Sequence, residues 1–185
     1  TINTYFSKKD PYQDHGNIKY IPRVVEIRND KGKTIKKIED AIFPESWSQQ
    51  SANIVATQYF WKEKTKKGTE KDIRMLTKRV AEAISNWGIK QNYFDKKEAK
   101  NFENEIAALS VEQYGAFNSP VWFNLGLDSY GIKHDSENYY VNTKGKIKRV
   151  KNFYKHPQGS ACFIISPEDS IESMMEVGAK ISSRI

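Results

Sequence analysis

The lone cysteine, Cys162, sits in Pro157-Gln158-Gly159-Ser160-Ala161-Cys162-Phe163-Ile164-Ile165, at the head of a short apolar run. A helix-start pattern, Ser166-Pro167-Glu168-Asp169-Ser170-Ile171, follows at once. A thiol held near the exposed end of a buried strand suits redox or nucleophilic chemistry. The bland reading of a single cysteine in an apolar run is a buried, inert small hydrophobe. Against it, Gly159, Ser160 and Ala161 leave room beside the sulfur for a ligand or a second sulfur, and the nearby helix start would favour the thiolate. The chain has no other cysteine, so any disulfide partner must come from outside it.

Three further groups offer polar chemistry. Asn118-Ser119-Pro120 is either a turn that seats Trp122 and Phe123 or a hydroxyl and amide aimed at a phosphate or sugar. Asp169 and Ser170 either cap a helix or present a carboxylate and hydroxyl to a sugar hydroxyl or base edge. From Tyr139 to Ser160 there are six Lys or Arg and no acid. That stretch is either a solvated ribbon or a surface for single-stranded nucleic acid, binding by charge and stacking. His15, His134 and His156 lack metal-ligand spacing, and no metal site is expected from them. No phosphate-binding glycine loop, nucleophile elbow or catalytic carboxylate pair is present. The chain by itself shows no complete active site.

The elements that must position these groups divide the chain into a mobile leader over 1–23, a β-hairpin and helical region over 24–117, and a third part over 118–185. Val24 to Glu39 predicts two strands around the Asn29-Asp30-Lys31-Gly32 turn. Ser46 and Gln49 have capping-box spacing, for a helix running to about Trp61. Thr69 and Asp72 open a second helix with Ile73, Leu76, Val80, Ile84 and Trp87 at helical spacing, ended by Gly88. Asp95 and Glu98 open a third, with Phe102, Ile106 and Leu109 inward. Pro120 and Gly126 break regular structure. Tyr139–Val141 and Ile147–Val150 form a hairpin over Asn142-Thr143-Lys144-Gly145. Ala161 to Ile165 is a short buried strand by composition. Ser166 caps a last helix with Pro167 at its first position, and Ile171, Met174, Gly178, Ile181 and Ile185 make a narrow seam fit for a partner helix. The seam runs to the final residue without a stop signal, an expectation that the sequence continues in another polypeptide or was cut.

Bulk properties bound the partners. A formal charge of +7 over 185 residues favours polyanions, as does pI 9.3. Mean hydropathy is low, −0.74, but 12% aromatic residues allow a core built on Trp, Tyr and Phe. No stretch has the length and apolarity of a membrane helix and no signal core leads the chain, so no membrane partner and a cytoplasmic location are expected.

Several blocks together resemble one family. Phe43-Pro44-Glu45-Ser46-Trp47-Ser48-Gln49, Asn53-Ile54-Val55-Ala56 with Tyr59-Phe60, and Asn86-Trp87-Gly88 are joined by Gln113-Tyr114-Gly115-Ala116-Phe117-Asn118-Ser119-Pro120-Val121-Trp122-Phe123-Asn124 and Pro157 to Ile164. The chain resembles the N-terminal part of adenosylcobalamin-dependent (class II) ribonucleotide reductases. The resemblance implies an α+β N-terminal region leading into the first strand and helix of a ten-stranded α/β barrel, incomplete in this chain. It implies conversion of ribonucleotides to deoxyribonucleotides by thiyl-radical chemistry, with Cys162 as one of the reducing cysteine pair. Ser119 would hold the substrate diphosphate, with Ala161 and Cys162 lining the same pocket. Asp169, Ser170 and Ile171 would bind a deoxynucleoside triphosphate effector at a dimer interface. Adenosylcobalamin would be the cofactor, with most contacts outside this chain. A second polypeptide carrying the rest of the barrel and a thioredoxin-like reductant would be partners, since the radical-bearing cysteine, the partner of Cys162 and most of the barrel lie elsewhere. The chain would be a split subunit or fragment, poorly soluble or swapped when alone because an isolated first strand leaves its edge unpaired. Two other classes stand beside this one: a basic nucleic-acid- or nucleotide-binding module without catalysis of its own, and an independent thiol enzyme acting through Cys162.

Overall fold

The computed structural model describes residues 2–16, 18–28, 32–63, 69–142, 144–162, 164 and 166–182. Strands β1 (Tyr20–Arg28) and β2 (Thr34–Pro44) form an antiparallel hairpin. Tyr20 pairs with Pro44 and Arg23 with Ala41, and a register shift between Arg23 and Val25 brings Val25 opposite Ile38. Alternation then turns Val25, Ala41 and Phe43 into the core. Of the expected turn, Asn29, Asp30 and Lys31 lie outside the described residues.

Helix α1 (Gln49–Gln58) packs on this hairpin through Ala52 and Ala56, and α2 (Ile73–Lys90) contributes Ile73, Leu76 and Val80 to the same core. The Phe43 ring lies 5.5 Å from Phe60 and 5.4 Å from Trp47. Full burial of such a ring stabilises the fold by about 1.5–3 kcal/mol. The Trp47 indole N–H donates to Val111 O at 2.7 Å, tying the hairpin's end to α3 (Lys96–Val111).

Helix boundaries differ from expectation where tertiary contacts decide them. Ser48, not Ser46, caps α1, accepting from Ser51 N at 3.0 Å, because Trp47 N turns back to Pro44 O. The Gln49 side chain reaches Val24 O instead of a cap. Asp72 rather than Thr69 caps α2, accepting from Arg74 N at 2.8 Å. Gly88 does not end α2. It lies inside the helix, where an added Cβ would come within 2.1 Å of Phe94 Cζ. Asp95 and Glu98 form the expected capping box of α3. Its buried face is Ala99, Glu103, Ala107, Ala108 and Val111, while Phe102, Ile106 and Leu109 are only partly covered, because small alanines let α3 approach α2 closely.

The segment expected to be a mobile leader is docked instead. Glu105 on α3 accepts from the backbone N–H of Tyr5, Phe6 and Ser7 at 3.0, 3.0 and 2.8 Å. Pro11 is fully buried, and β1 begins at Tyr20, inside the expected leader.

After α3, helix α4 (Ser119–Asn124) takes Pro120 into its first turn, where a missing N–H is harmless, so Pro120 starts a helix rather than breaking one. A 3-10 turn, Leu127–Tyr130, follows Gly126. Strands β3 (Tyr139–Val141) and β4 (Ile147–Arg149) form the expected second hairpin, with Asn142 Oδ1 accepting from Lys144 and Lys146 N. Helix α5 (Ile171–Ser182) is the last element among the described residues.

The architecture is a small α+β domain with two β-hairpins and five α-helices, and no barrel is present among the described residues. Among the described residues the expected strand over Ala161 to Ile165 is not seen: Ala161, Cys162 and Ile164 are exposed and in no strand, while Phe163 and Ile165 lie outside the described residues. The cause is physical. A strand needs a neighbour to pair with, and the described residues offer none beside this segment.

Candidate functional site

The residues singled out around α4 are held by a buried ionic clamp. Arg79 on α2 donates Nε to Glu70 Oε1 at 2.7 Å and Nη2 to Trp122 O at 3.1 Å, and its Nη1 reaches Leu125 O. Two carbonyls that the end of a short helix leaves without partners are thereby satisfied. Glu70 also accepts from Trp61 N and from the Tyr130 hydroxyl, both at 2.8 Å. Burial, and then the Glu70 carboxylate, push the Tyr130 phenol up. The two charged side chains are 1% and 0% exposed. Gly126 completes the clamp at φ +76°, where an added Cβ would sit 2.4 Å from Arg79 O.

On this support Ser119 is half-buried at the start of α4, its Oγ 3.1 Å from the Tyr59 hydroxyl. The Tyr59 ring lies 5.2 Å from Phe123. Asn118 is exposed, and its side chain caps nothing. The Trp122 indole N–H donates to Phe117 O at 2.9 Å, so Trp122 does seat in the core, whereas Phe123 is 42% exposed.

The glycine-rich approach to Cys162 runs against the same helix. Asn124 Nδ2 donates to Gln158 O at 2.9 Å. Gly159 lies where a Cβ would contact Val121 Cγ2 at 3.6 Å and Leu125 Cδ1 at 3.8 Å. Ser160 N donates to Gln158 Oε1 at 3.0 Å, and Ala161 and Cys162 then emerge exposed. Helix α4 thus carries Ser119 at one end and anchors the lead-in to Cys162 along its flank.

Asp169, Ser170 and Ile171 lie at the head of α5. Ser170 caps α5, accepting from Ser173 N at 3.1 Å, while Ser173 Oγ accepts from Glu168 N at 3.0 Å. The expected cap at Ser166 and first-turn Pro167 lie upstream of the helix, because this reciprocal pair sets its start. Asp169 is exposed, and Ile171, Met174 and Met175 are 76%, 48% and 71% exposed. The seam expected on α5 therefore faces solvent in its first turns; the side chains of Ile181 and Ile185 lie outside the described residues.

The basic hairpin stands beside a hollow of about 370 Å³ lined by His134, Glu137, Asn138, Phe153 and Tyr154, among others. Glu137 pairs with Arg149 at 2.5 Å, and the Tyr140 and His156 rings stack at 3.7 Å. Burial, with help from Lys155, holds the His156 imidazole below its usual value.

Sequence reasoning missed Glu70 and Arg79, and it met Tyr59 only as part of a motif block. Glu70 and Arg79 are nine positions apart across a loop and a helix start, and only packing shows that they meet. The usable signal was an arginine between Leu76 and Val80 on an apolar helix face.

A family profile described as class II vitamin B12-dependent ribonucleotide reductase matches residues 22–113. The vitamin B12-dependent ribonucleotide reductase of Rhodopirellula baltica is 38% identical over 159 residues, covering 84% of this chain. The chain belongs to the class II ribonucleotide reductase family. Other reductases of this family are similar too: that of Agrobacterium fabrum is 30% identical over 200 aligned positions, covering 88% of this chain. That of Streptomyces coelicolor is 31% identical over 135 residues, covering 72%. The chain spans only 15% of the Rhodopirellula reductase, 16% of the Agrobacterium reductase and 11% of the Streptomyces reductase. It corresponds to the N-terminal region of the family. No helix among the described residues is long and apolar enough to cross a membrane.

Proposed function

We propose that this chain serves as the N-terminal part of a class II ribonucleotide reductase, as a split subunit or as the leading portion of a longer polypeptide. In this role it presents Ser119 and Cys162 to a ribonucleotide held in a barrel completed by the rest of the enzyme. The observation that carries the reading is the coupling through α4, where one helix holds Ser119 and, by Asn124 and the Gly159 contacts, the lead-in to Cys162. Ser119 offers a hydroxyl to the substrate diphosphate, with Ala161 lining the pocket. Cys162 and a second thiol outside this chain each give up one electron and one proton. Together they become a disulfide as the ribose 2′-hydroxyl leaves as water, and the product is the deoxyribonucleotide. A dithiol protein of the thioredoxin kind restores Cys162 by exchange. The exposed face of α5, with Asp169, Ser170 and Ile171 at its head, is left for a dimer partner and a deoxynucleoside triphosphate effector.

The hollow beside the basic hairpin does not fit adenosylcobalamin. The hollow at His134 is about 370 Å³, near the lower end for drug-sized ligands, roughly 300–1,000 Å³, and a corrinoid is several times larger. In this reading the cofactor's contacts lie in the rest of the enzyme. The test is co-purification from the native source under gentle conditions, followed by native mass spectrometry and a ribonucleotide reduction assay with adenosylcobalamin. Association with the remaining polypeptide and loss of reduction in Cys162→Ser support the reading. A lone 21.4 kDa species with no partner and no reduction would overturn it.

A further inference from the structure

We propose that Tyr59 is a positioning residue for substrate phosphate, acting through Ser119; the proposal rests on the reading of Ser119 given above. Tyr59 is fixed from three sides. Its backbone N–H donates to Val55 O at 2.9 Å as the C-cap of α1, its ring packs 5.2 Å from Phe123, and its hydroxyl lies 3.1 Å from Ser119 Oγ. Ser119 in turn is set by α4, whose far end is clamped by Arg79. The two hydroxyls therefore meet between elements that cannot easily separate, at a place partly open to solvent.

A pair of hydroxyls holds two protons, and their mutual hydrogen bond uses one. A phenol O–H is a better hydrogen-bond donor than an aliphatic hydroxyl, so the favoured arrangement has Tyr59 O–H donating to Ser119 Oγ. The Ser119 proton is then free to point outward. An anionic phosphate oxygen accepts a hydrogen bond from that Ser119 O–H, and the chain of two bonds polarises in the same sense. Tyr59 thereby orients a hydroxyl that would otherwise rotate freely and spend its proton on water or on a nearby carbonyl. No charge is buried in this arrangement, so a phosphate can bind and leave without stranding an unpaired ion.

The experiment uses the reductase assembled from this chain and the remainder of the polypeptide, with Tyr59→Phe, Ser119→Ala and the double variant. Tyr59→Phe keeps the ring against Phe123 and removes only the hydroxyl. Loss of one ordinary hydrogen bond raises KM for the ribonucleotide about fivefold, with a smaller change in kcat, because the contact acts on substrate binding. The double variant is no worse than Ser119→Ala alone, since both changes break one unit. The unfolding midpoint of Tyr59→Phe stays at the wild-type value. If Ser119→Ala raises KM and Tyr59→Phe does not, the role of Tyr59 is overturned and that of Ser119 stands. Additive KM effects, or a fall in the unfolding midpoint that accounts for lost activity, also overturn it. If Ser119→Ala leaves KM unchanged, or the assembled protein reduces no ribonucleotide, the reading of the site fails and this proposal with it.

Discussion

Replacing Arg79 with methionine tests the claim that α4 is held in place by a buried ion pair. The substitution keeps an apolar stem of similar length but removes the guanidinium. It leaves the Glu70 carboxylate, fully buried, with Trp61 N and the Tyr130 hydroxyl as its remaining donors. It also strips partners from the carbonyls of Trp122 and Leu125. Removing one member of a buried pair costs about 3–5 kcal/mol, against a total stability of roughly 5–15 kcal/mol for a domain. With a urea dependence of about 2 kcal/mol per molar, the unfolding midpoint falls by about 2 M. Tryptophan fluorescence reports it directly, because Trp61 and Trp122 both touch the network. The double variant Arg79→Met with Glu70→Leu recovers part of the loss, since no uncompensated charge remains. A midpoint shift below about 0.5 M at unchanged slope, or strictly additive single and double variants, would refute the reasoning.

Gly126→Ala forces a Cβ at φ +76° into a space 2.4 Å from Arg79 O; adding left-handed strain to overpacking gives a loss of about 2–4 kcal/mol by denaturant titration, and a neutral substitution would contradict the close approach. Exposed Cys162 reacts with a thiol reagent in the folded chain as fast as in urea, and slows once the rest of the enzyme is added; a thiol protected in the free chain would contradict the exposure seen here. Partial burial raises the Glu105 carboxyl, but hydrogen bonds from Ser7 Oγ and from the amides of Phe6, Ser7 and Tyr5 outweigh it, and the net value is below the usual range. A depressed acid binds fewer protons folded than unfolded. Its contribution is therefore complete above the ordinary glutamate value, about 4.3, and is lost as pH falls through the lower folded value. Amide exchange of Tyr5 to Ser7 accelerates over that acid range in wild type but not in Glu105→Gln, which lacks the titrating group; equal pH dependence in both would disprove the linkage.

Much of the helical layer was legible because its signals are local. The Asp95 and Glu98 capping box and the Ile73-Leu76-Val80 periodicity act within one or two turns, so neighbouring residues suffice to declare them. The hairpin over Asn142 to Gly145 was readable for the same reason. Where a distant contact competed, local reading failed: Ser48 displaced Ser46, Gly88 served a close approach to Phe94 instead of a stop, and the leader found its anchor in Glu105. At the candidate site, sequence picked out Ser119 and Cys162 through long motif blocks of unusual composition. Tyr59 stood there only inside a motif block, and Glu70 and Arg79 were not singled out, because these side chains act across 60, 9 and more than 40 positions. Residue order was therefore enough for family membership and for most element types, because these follow from short-range preference and motif. Only the folded chain decided which helix joins Ser119 to the lead-in to Cys162 and what clamps it. Hydrogen bonding and burial depend on distance in space, which chain position does not encode. For Cys162 the decision goes further, since an apolar run becomes a strand only when a neighbouring strand satisfies its backbone, and within the described residues none stands beside it.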